Sequence, residues 1–336
     1  MPAGIPQVNG LVFQALRKLS DGHFHSGEDV ARSLGRSRAT LSEALKNATA
    51  LGVELFSVPG RGYKLAEPIE FLDAGVVTSM MGPAAARVRL EVADMVDSTN
   101  AQLLARAASG AASGECLAAE WQSAGRGRRG RGWVGGLGGS LLFSLLWRFD
   151  RGAGHLAGLS LAVGVAVARA LRECGVSGAQ VKWPNDVVVD FRKLGGILIE
   201  TSGEMQGPSV AVVGVGINHR LPESVVDAID QPAVDMARCV AALPSRNLLL
   251  ARTLAQLVAV LDGFERNGFP AFRAEWRSLH AFQGRRVRVL PPREPEFDAD
   301  VVDVGDDGTL HVSVAGTLRK LSSAELIGVR PQLISQ

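Results

Sequence analysis

Four arginines on a glycine-rich backbone, GRGRRGR at Gly125–Arg131, are the residues of this sequence best suited to chemistry on an anion. Guanidinium forks and free backbone N–H groups together can wrap phosphate oxygens. The chain has 30 arginines but only six lysines, and two of those six, Lys182 and Lys193, flank one hairpin. A lysine is a compact point charge suited to phosphate or carboxylate. Lys182 leads VKWPND (Val181–Asp186), in which Asn185 and Asp186 form a polar turn. Lys193 opens RKLGGILI (Arg192–Ile199), in which Gly195-Gly196 lets a ligand approach the backbone closely. Val210–Asn218 (VAVVGVGIN) ends in Gly214, Gly216 and Asn218. Asp97-Ser98-Thr99-Asn100 precedes a helical run, and an N-cap alone would account for it.

The arginine segment matches GxGxxG literally, but a dinucleotide fingerprint requires an apolar helix directly after the glycines. Here Gly132–Gly139 continues as loop, with eight glycines among the fifteen residues of Gly125–Gly139, so that reading is rejected. No GxxxxGK[ST] phosphate loop occurs. A merely solvated basic loop would not need so many glycines beside an apolar strand. A nucleotide or nucleic acid is the ligand class these residues favour.

Three textures of sequence position these groups. In the first 66 residues the pattern predicts helices over Val8–Leu19, Gly27–Leu34 and Arg38–Leu51, then strands Val53–Val58 and Gly62–Ala66. Ser26 and Ser37 are N-cap residues for the second and third helices. Ala31 is small where two helices cross, Gly35 permits a left-handed turn, and Leu41 plugs the angle between the helices. That order is a winged helix-turn-helix, whose second helix can lie in a major groove. Its outer face offers Ser37, Arg38, Thr40, Lys46 and Asn47, and the wing offers Arg61 and Lys64. Glu43 on the same face repels phosphate and favours a domain used for packing or protein binding instead.

From about residue 87 to 281, apolar strands alternate with glycine-rich loops and helices. Strands are expected at Val88–Ala93, Glu115–Trp121, Ser140–Trp147, Arg192–Ile199 and Val210–Asn218, with Lys182 emerging from another strand that Trp183 and Pro184 stop. Helices are expected at Ala101–Ala108, Leu156–Leu171, Arg246–Phe264 and Pro270–Leu279. Beyond residue 282 only short alternating strands follow, with a hairpin turn at Asp306-Asp307-Gly308, which predicts a small SH3-like β-barrel. The expected division is therefore 1–66, a linker over 67–86, 87–281 and 282–336.

A chain of 336 residues, 46% hydrophobic and with formal net charge +2, excludes wholesale disorder and gives no bulk electrostatic case for nucleic acid. Cys116, Cys174 and Cys239 show no zinc-ligand spacing and read as buried thiols in a reducing compartment. The N-terminus has no signal-peptide pattern, and Leu156–Leu171 falls short of a bilayer span, so a cytoplasmic protein without membrane contact is expected.

These pieces together resemble the bifunctional biotin–protein ligases that also repress the biotin operon. The match rests on DSTN (Asp97–Asn100), GRGRRGR (Gly125–Arg131), KWPND (Lys182–Asp186), KLGGIL (Lys193–Leu198), GxGIN (Gly214–Asn218) and SVPGRGYKL (Ser57–Leu65), and covers essentially the whole chain. The resemblance implies a class II synthetase-like mixed-sheet α/β domain between the winged helix-turn-helix and the small barrel. It implies that biotin and ATP give biotinoyl-5′-AMP, and that biotin passes from it to a lysine of a biotin carboxyl carrier protein. By the same resemblance Arg128, Lys193 and Asp186 are catalytic. Ser98, Thr99, Asn100, Gln122, Arg126, Gly127, Arg128 and Lys193 would bind biotin. Arg128, Arg131, Trp133, Asn185, Asn218, Glu325 and Arg330 would bind the nucleotide. Magnesium would ride on the phosphates, near Asn218 or Asp186, with no metal site built by the protein alone. Biotinoyl-5′-AMP would act as corepressor, the loaded protein forming a homodimer on two-fold operator DNA.

One departure stands out: the stretch 220–233, where the family often carries an aromatic residue over the adenine, has no Trp, Tyr or Phe. The alternatives are a lipoate–protein ligase, disfavoured by KWPND and GRGRRGR together, a ligase whose winged domain no longer represses, and a biotin-sensing transcription factor with an inactive ligase domain.

Overall fold

The computed structural model describes residues 10–48, 51–203, 207–292 and 294–328. The expected start of the first helix at Val8 lies outside the described residues, as does Arg330. Helices α1 (Gly10–Lys18), α2 (Gly27–Ser33) and α3 (Arg38–Ala48) precede the two-stranded hairpin of β1 (Leu55–Val58) and β2 (Gly62–Leu65). The Ser26 hydroxyl accepts from Asp29 N at 3.4 Å, and the Ser37 hydroxyl from Thr40 N at 3.1 Å, so both helices start where their caps require. Gly35 turns at φ 62°, and Leu41 is fully buried beside Val12, Phe13, Leu16 and Leu45. This is a helix-turn-helix with its wing and its own apolar core.

Residues 67–86, expected as a linker, carry α4 (Ala74–Met80), capped by Asp73, and a 3₁₀ turn over Gly82–Arg87. Leu72, Val77 and Met81 belong to the central core. Apolar burial outweighs the loop-like composition of this stretch.

The central sheet comprises β3 (Arg89–Val96), β4 (Glu115–Gln122), β5 (Ser140–Phe149), β6 (Gln180–Lys182), β7 (Asp186–Val189), β8 (Arg192–Gly203) and β9 (Ser209–Asn218). Helix α5 (Thr99–Ala108) connects β3 to β4, and α6 (Leu159–Glu173) follows β5. The spatial order is β3-β4-β5-β9-β8-β7-β6, with β3 and β4 parallel and every other pair antiparallel. Side chains alternate between faces along each strand. Cys116, Phe143, Leu145 and Val213 meet the large core, whereas Leu117, Leu146 and Val212 pack with Leu103 of α5 on the opposite face.

After β9 come the short α7 (Glu223–Asp227), not expected from the sequence, then α8 (Arg246–Asn267) and α9 (Pro270–Leu279). Helix α8 has the length and hydropathy of a membrane span, yet Leu249, Leu250, Leu254, Leu257 and Leu261 are fully buried against the protein's own core. At its N-terminus the Arg246 guanidinium, 1% exposed, meets the fully buried Glu120 carboxylate of β4 at 2.7 Å. The same guanidinium donates to Glu70 O at 2.7 Å and to Ser140 O at 2.9 Å, while Glu120 Oε1 accepts from Leu72 N at 2.6 Å. A buried charge persists only when paired and bonded in this way. The node ties the segment leaving the helix-turn-helix to the central sheet.

The last part is a five-stranded antiparallel sheet of β10 (Arg286–Leu290), β11 (Phe297–Val304), β12 (Leu310–Val314), β13 (Thr317–Leu321) and β14 (Glu325–Gly328), in the order β13-β12-β11-β10-β14. Strand β14 was not expected. The described pairings form an open order with β13 and β14 at its edges. Val287, Val301, Leu310 and Leu326 join the same core as α6 and α8.

Candidate active site

A cavity of about 410 Å³ opens on the α5 face of the sheet, above the last residues of β4 and β9 and the first residues of β8. Every biotin- and nucleotide-directed residue named from the sequence lines it, Arg330 excepted. Its floor is glycine. Gly196 and Gly216 are register partners on β8 and β9, and the Trp133 indole lies across both. An added Cβ at Gly216 would sit 2.7 Å from that ring, and one at Gly196 3.0 Å. Trp133 Nε1 is buried and without a partner among the described residues.

One end of the cavity is neutral and polar. Ser98, Thr99 and Asn100, each at most 4% exposed, form the start of α5, with the Ser98 hydroxyl as its cap. Gln122, at the end of β4, accepts from Thr99 N at 2.7 Å through Oε1. Asp97 does not line the cavity: it accepts from Gln102 and then from Ser98 N, and those bonds hold its carboxyl below the usual aspartate range.

The other end is charged. Lys193 Nζ meets Asp186 Oδ1 at 2.9 Å across the β7–β8 hairpin and stands 5.6 Å from the centre of the Trp133 ring. Lys182 also faces the cavity. Burial pulls its ammonium below the ordinary lysine range, against the opposing pull of Asp186 and Glu325. Asn185 accepts from Arg128 Nη1 at 3.0 Å and donates to Ile197 O at 2.8 Å, so the turn residue fixes the arginine. Burial, and then the neighbouring Arg129, lower the Arg128 guanidinium from its usual value.

The arginine segment folds over the opening as a short hairpin-like loop, with Gly127 N donating to Arg131 O and Trp133 N to Gly125 O. Arg126 pairs with Glu200 of β8 at 2.6 Å, and Arg131 with Glu325 of β14 at 2.6 Å. Arg129, in the left-handed region at φ 58°, donates to Ser323 at 3.0 Å. Four residues after Trp133, Leu137 is buried in the helix-turn-helix core and its N–H donates to Leu51 O.

Asn218 donates to Lys193 O and Val234 O, while its buried Oδ1 has no partner among the described residues. The segment returning through Pro232, Ala233 and Val234 pairs with Lys193 through two backbone bonds. Ala228, Ile229 and Ala233 form that side of the cavity where no aromatic residue is available.

None of the helix-turn-helix residues named from the sequence lines this cavity. Ser37, Arg38, Thr40, Lys46 and Arg61 are exposed, and Asn47 and Lys64 half-buried. The Ser37 and Thr40 hydroxyls bond each other at 2.8 Å, and Arg61 stacks 4.1 Å over Phe24.

Residues 92–218 match the biotin/lipoate A/B protein ligase family, and residues 12–64 match a helix-turn-helix domain. A bifunctional ligase/repressor of Salmonella typhimurium is 38% identical over 272 residues, covering 81% of this chain and 83% of that one. The chain belongs to the bifunctional biotin–protein ligase/repressor family. The Escherichia coli member is 37% identical over 289 residues, covering 84% and 86% of the two chains. The solved biotin protein ligase of Aquifex aeolicus, in complex with biotin and ATP, is 26% identical with a TM-score of 0.60. It covers 72% of this chain and 99% of that one.

Three groups in or behind the cavity were not assigned to the site from the sequence: Lys182 lines it, whereas Glu200 and Ser144 lie behind its lining. Lys182 reads from the sequence as a point charge suited to phosphate or carboxylate, but belongs to neither the biotin nor the nucleotide set. Glu200 follows the GGILI run on the same strand. Ser144 is a polar residue inside the apolar run SLLFSLLW, which was the available signal.

Proposed function

We propose that this protein ligates biotin to a carrier lysine at the expense of ATP and represses transcription through its helix-turn-helix. The observation that carries the reading is one cavity with a neutral hydrogen-bonding end, a glycine floor and a cationic end. A urea ring must be hydrogen-bonded when buried, and Ser98, Thr99, Asn100 and Gln122 supply neutral partners of that kind. The apolar tail would cross the glycine floor beside Trp133, which brings the carboxylate to Arg128 and Lys193.

In the first step the biotin carboxylate attacks the α-phosphorus of ATP and pyrophosphate leaves. Two anions must meet, and Arg126, Arg128, Arg131 and Lys193 offset their repulsion and stabilise the charge that develops. Losing one such contact costs about 3 kcal/mol, roughly a hundredfold in rate. In the second step the carrier amine attacks the anhydride carbonyl, AMP leaves, and the amine's proton must be taken up. Asp186, held beside Lys193, orients that amine or accepts its proton.

Asn185, Asn218, Trp133 and Glu325 contribute to the nucleotide's surroundings. The unpartnered Asn218 Oδ1 is an acceptor suited to an exocyclic amine. No cluster of three His, Cys, Asp or Glu side chains occurs among the described residues, and Asp186 is already paired. On this reading magnesium rides on the nucleotide's phosphates, near Asn218 or Asp186. The C-terminal sheet we read as an SH3-like module closing the nucleotide end.

The carrier substrate is the biotin carboxyl carrier protein. Adenylate-loaded copies pair on operator DNA, with Arg38, Lys46 and Arg61 meeting phosphates or bases. The reading places the protein in the cytoplasm. The test is incubation with ATP, magnesium, labelled biotin and a carrier domain, beside Lys193→Ala. Label on the carrier that is lost in the variant supports the ligase. Biotin binding without transfer refutes it in favour of a sensor. Footprinting with and without biotin plus ATP tests repression, and unchanged operator affinity refutes it.

A further inference from the structure

Behind the neutral end of the cavity runs a chain of hydrogen bonds whose direction follows from counting protons. Asn100 Nδ2 lies 3.0 Å from Glu200 Oε2 and 3.2 Å from Leu198 O, two groups that only accept. That atom is therefore the NH₂, and the other, Oδ1, is an acceptor. Ser144, fully buried, approaches Oδ1 at 2.5 Å and must spend its single hydroxyl proton there. Ser144 also lies 2.7 Å from Thr99 Oγ1, and with its proton committed it can only accept from Thr99. Thr99 Oγ1 is 3.2 Å from Gln122 Oε1 as well, but one proton cannot serve both, and the shorter contact would be left with none. Gln122 Oε1 keeps its bond from Thr99 N.

Thr99 therefore faces the cavity with lone pairs and no proton, and Gln122 with its Nε2 protons, for which no described residue is an acceptor. The backbone makes room for this wiring. Ser144 and Gly214 are register partners, and an added Cβ at Gly214 would lie 2.2 Å from Asn100 Oδ1.

We infer that Ser144, which does not line the cavity, is a positioning residue that selects the ligand's hydrogen-bonding pattern. By fixing the direction of the Thr99 hydroxyl it makes that atom an obligate acceptor, so the site requires an N–H opposite Thr99. The inference rests on the ligase reading above and specifies what that site demands of its substrate.

The test compares biotin with the two cyclic carbamate analogues in which one or the other ureido N–H is replaced by oxygen. Titration calorimetry and KM are measured on the whole protein, unaltered and as Ser144→Ala. In the unaltered protein one carbamate should bind about tenfold or more weaker than biotin, because two acceptors then face each other. In Ser144→Ala the Thr99 proton loses its fixed acceptor and is shared between Gln122 Oε1, 3.2 Å away, and the cavity. Discrimination against that carbamate should fall several-fold, with kcat for biotin nearly unchanged. Ser144→Cys, a weak donor of similar size, should lie between, and it covers the case in which the alanine variant does not fold. Equal loss for biotin and both carbamates, or discrimination unchanged in both folded variants, would overturn the proposal while leaving the ligase reading intact. Absence of biotin binding by the unaltered protein would overturn both.

Discussion

Removing the Arg246 guanidinium while keeping its apolar stem, as in Arg246→Met, strands a carboxylate in the protein interior. The pair is 1% and 0% exposed, so water does not reach Glu120 to replace the lost partner. Glu120 Oε2 loses its cation, Ser140 O and Glu70 O each lose a donor, and only the Leu72 N–H bond to Oε1 remains. Breaking a buried pair from one side costs about 3–5 kcal/mol, because the remaining charge is uncompensated. Replacing both partners removes that charge and often costs far less. Arg246→Met should therefore destabilise by about 4 kcal/mol, and Glu120→Leu with Arg246→Met together by less than half of that. Trp147, Trp183 and Trp276 are buried in the central core, so tryptophan fluorescence in urea follows chiefly that core. The midpoint shift at unchanged slope gives the difference. A single variant costing under about 1 kcal/mol, or a double variant costing the sum of the singles, would refute the stranded-charge argument.

Two further outcomes follow from the loop over the cavity. Leu137→Ala removes the side chain that seats the glycine-rich segment in the helix-turn-helix core, 4% exposed beside Leu51 and Leu65. A loss of about 2–3 kcal/mol, at the low end for buried leucine because a loop can relax, should appear as faster amide exchange in α1 and α3 and faster ligand release. The Arg131 guanidinium, as a hydrogen-bond donor and a charge, holds the Glu325 carboxyl below the usual glutamate range. A depressed folded value means the contact contributes fully above the ordinary glutamate value and is lost as pH falls through the depressed one. Cleavage by an arginine-specific protease within Arg126–Arg131 should accelerate in Glu325→Gln at neutral pH, and in the unaltered protein only in the acid range.

Most of the fold was legible because its signals are local. The apolar runs of β5 and β9, the helical stripe of α8 and the caps Ser26 and Ser37 each act within a few residues. Element ends moved where pairing partners decide them: β8 runs on to Gly203 because β9 continues opposite it. The short α4 and β14 were missed because tertiary burial, not periodicity, sustains them, although Asp73 offered a cap. In the site, residues that touch the cavity announce themselves by chemical type on glycine-rich loops. Ser144 and Glu200 act by bonding Asn100 from behind the cavity lining, where a single polar residue in an apolar strand is a weak signal. The pairs Arg131–Glu325 and Arg129–Ser323 join residues 194 apart and leave no local trace at all.

Those long-range pairs give the glycine-rich segment its place in the whole protein. Within residues 126–137 it bonds β8 through Arg126, the C-terminal sheet through Arg129 and Arg131, and the helix-turn-helix core through Leu137. Glycine is costly to order, so this segment is held by those contacts and not by its own backbone preference. A ligand that changes which contacts the arginines make alters the free energy of ordering the segment, and Leu137 sits at the far end of the same strap. Coupling between ligand and DNA-binding domain is then bounded by the difference in contacts at these anchors, and it must act equally in the reverse direction. Operator DNA that fixes the helix-turn-helix should tighten ligand binding, read as Kd, by the same factor by which ligand tightens operator binding. Leu137→Ala should shrink both factors together. A variant that lost one and kept the other would show that the strap is not the connection.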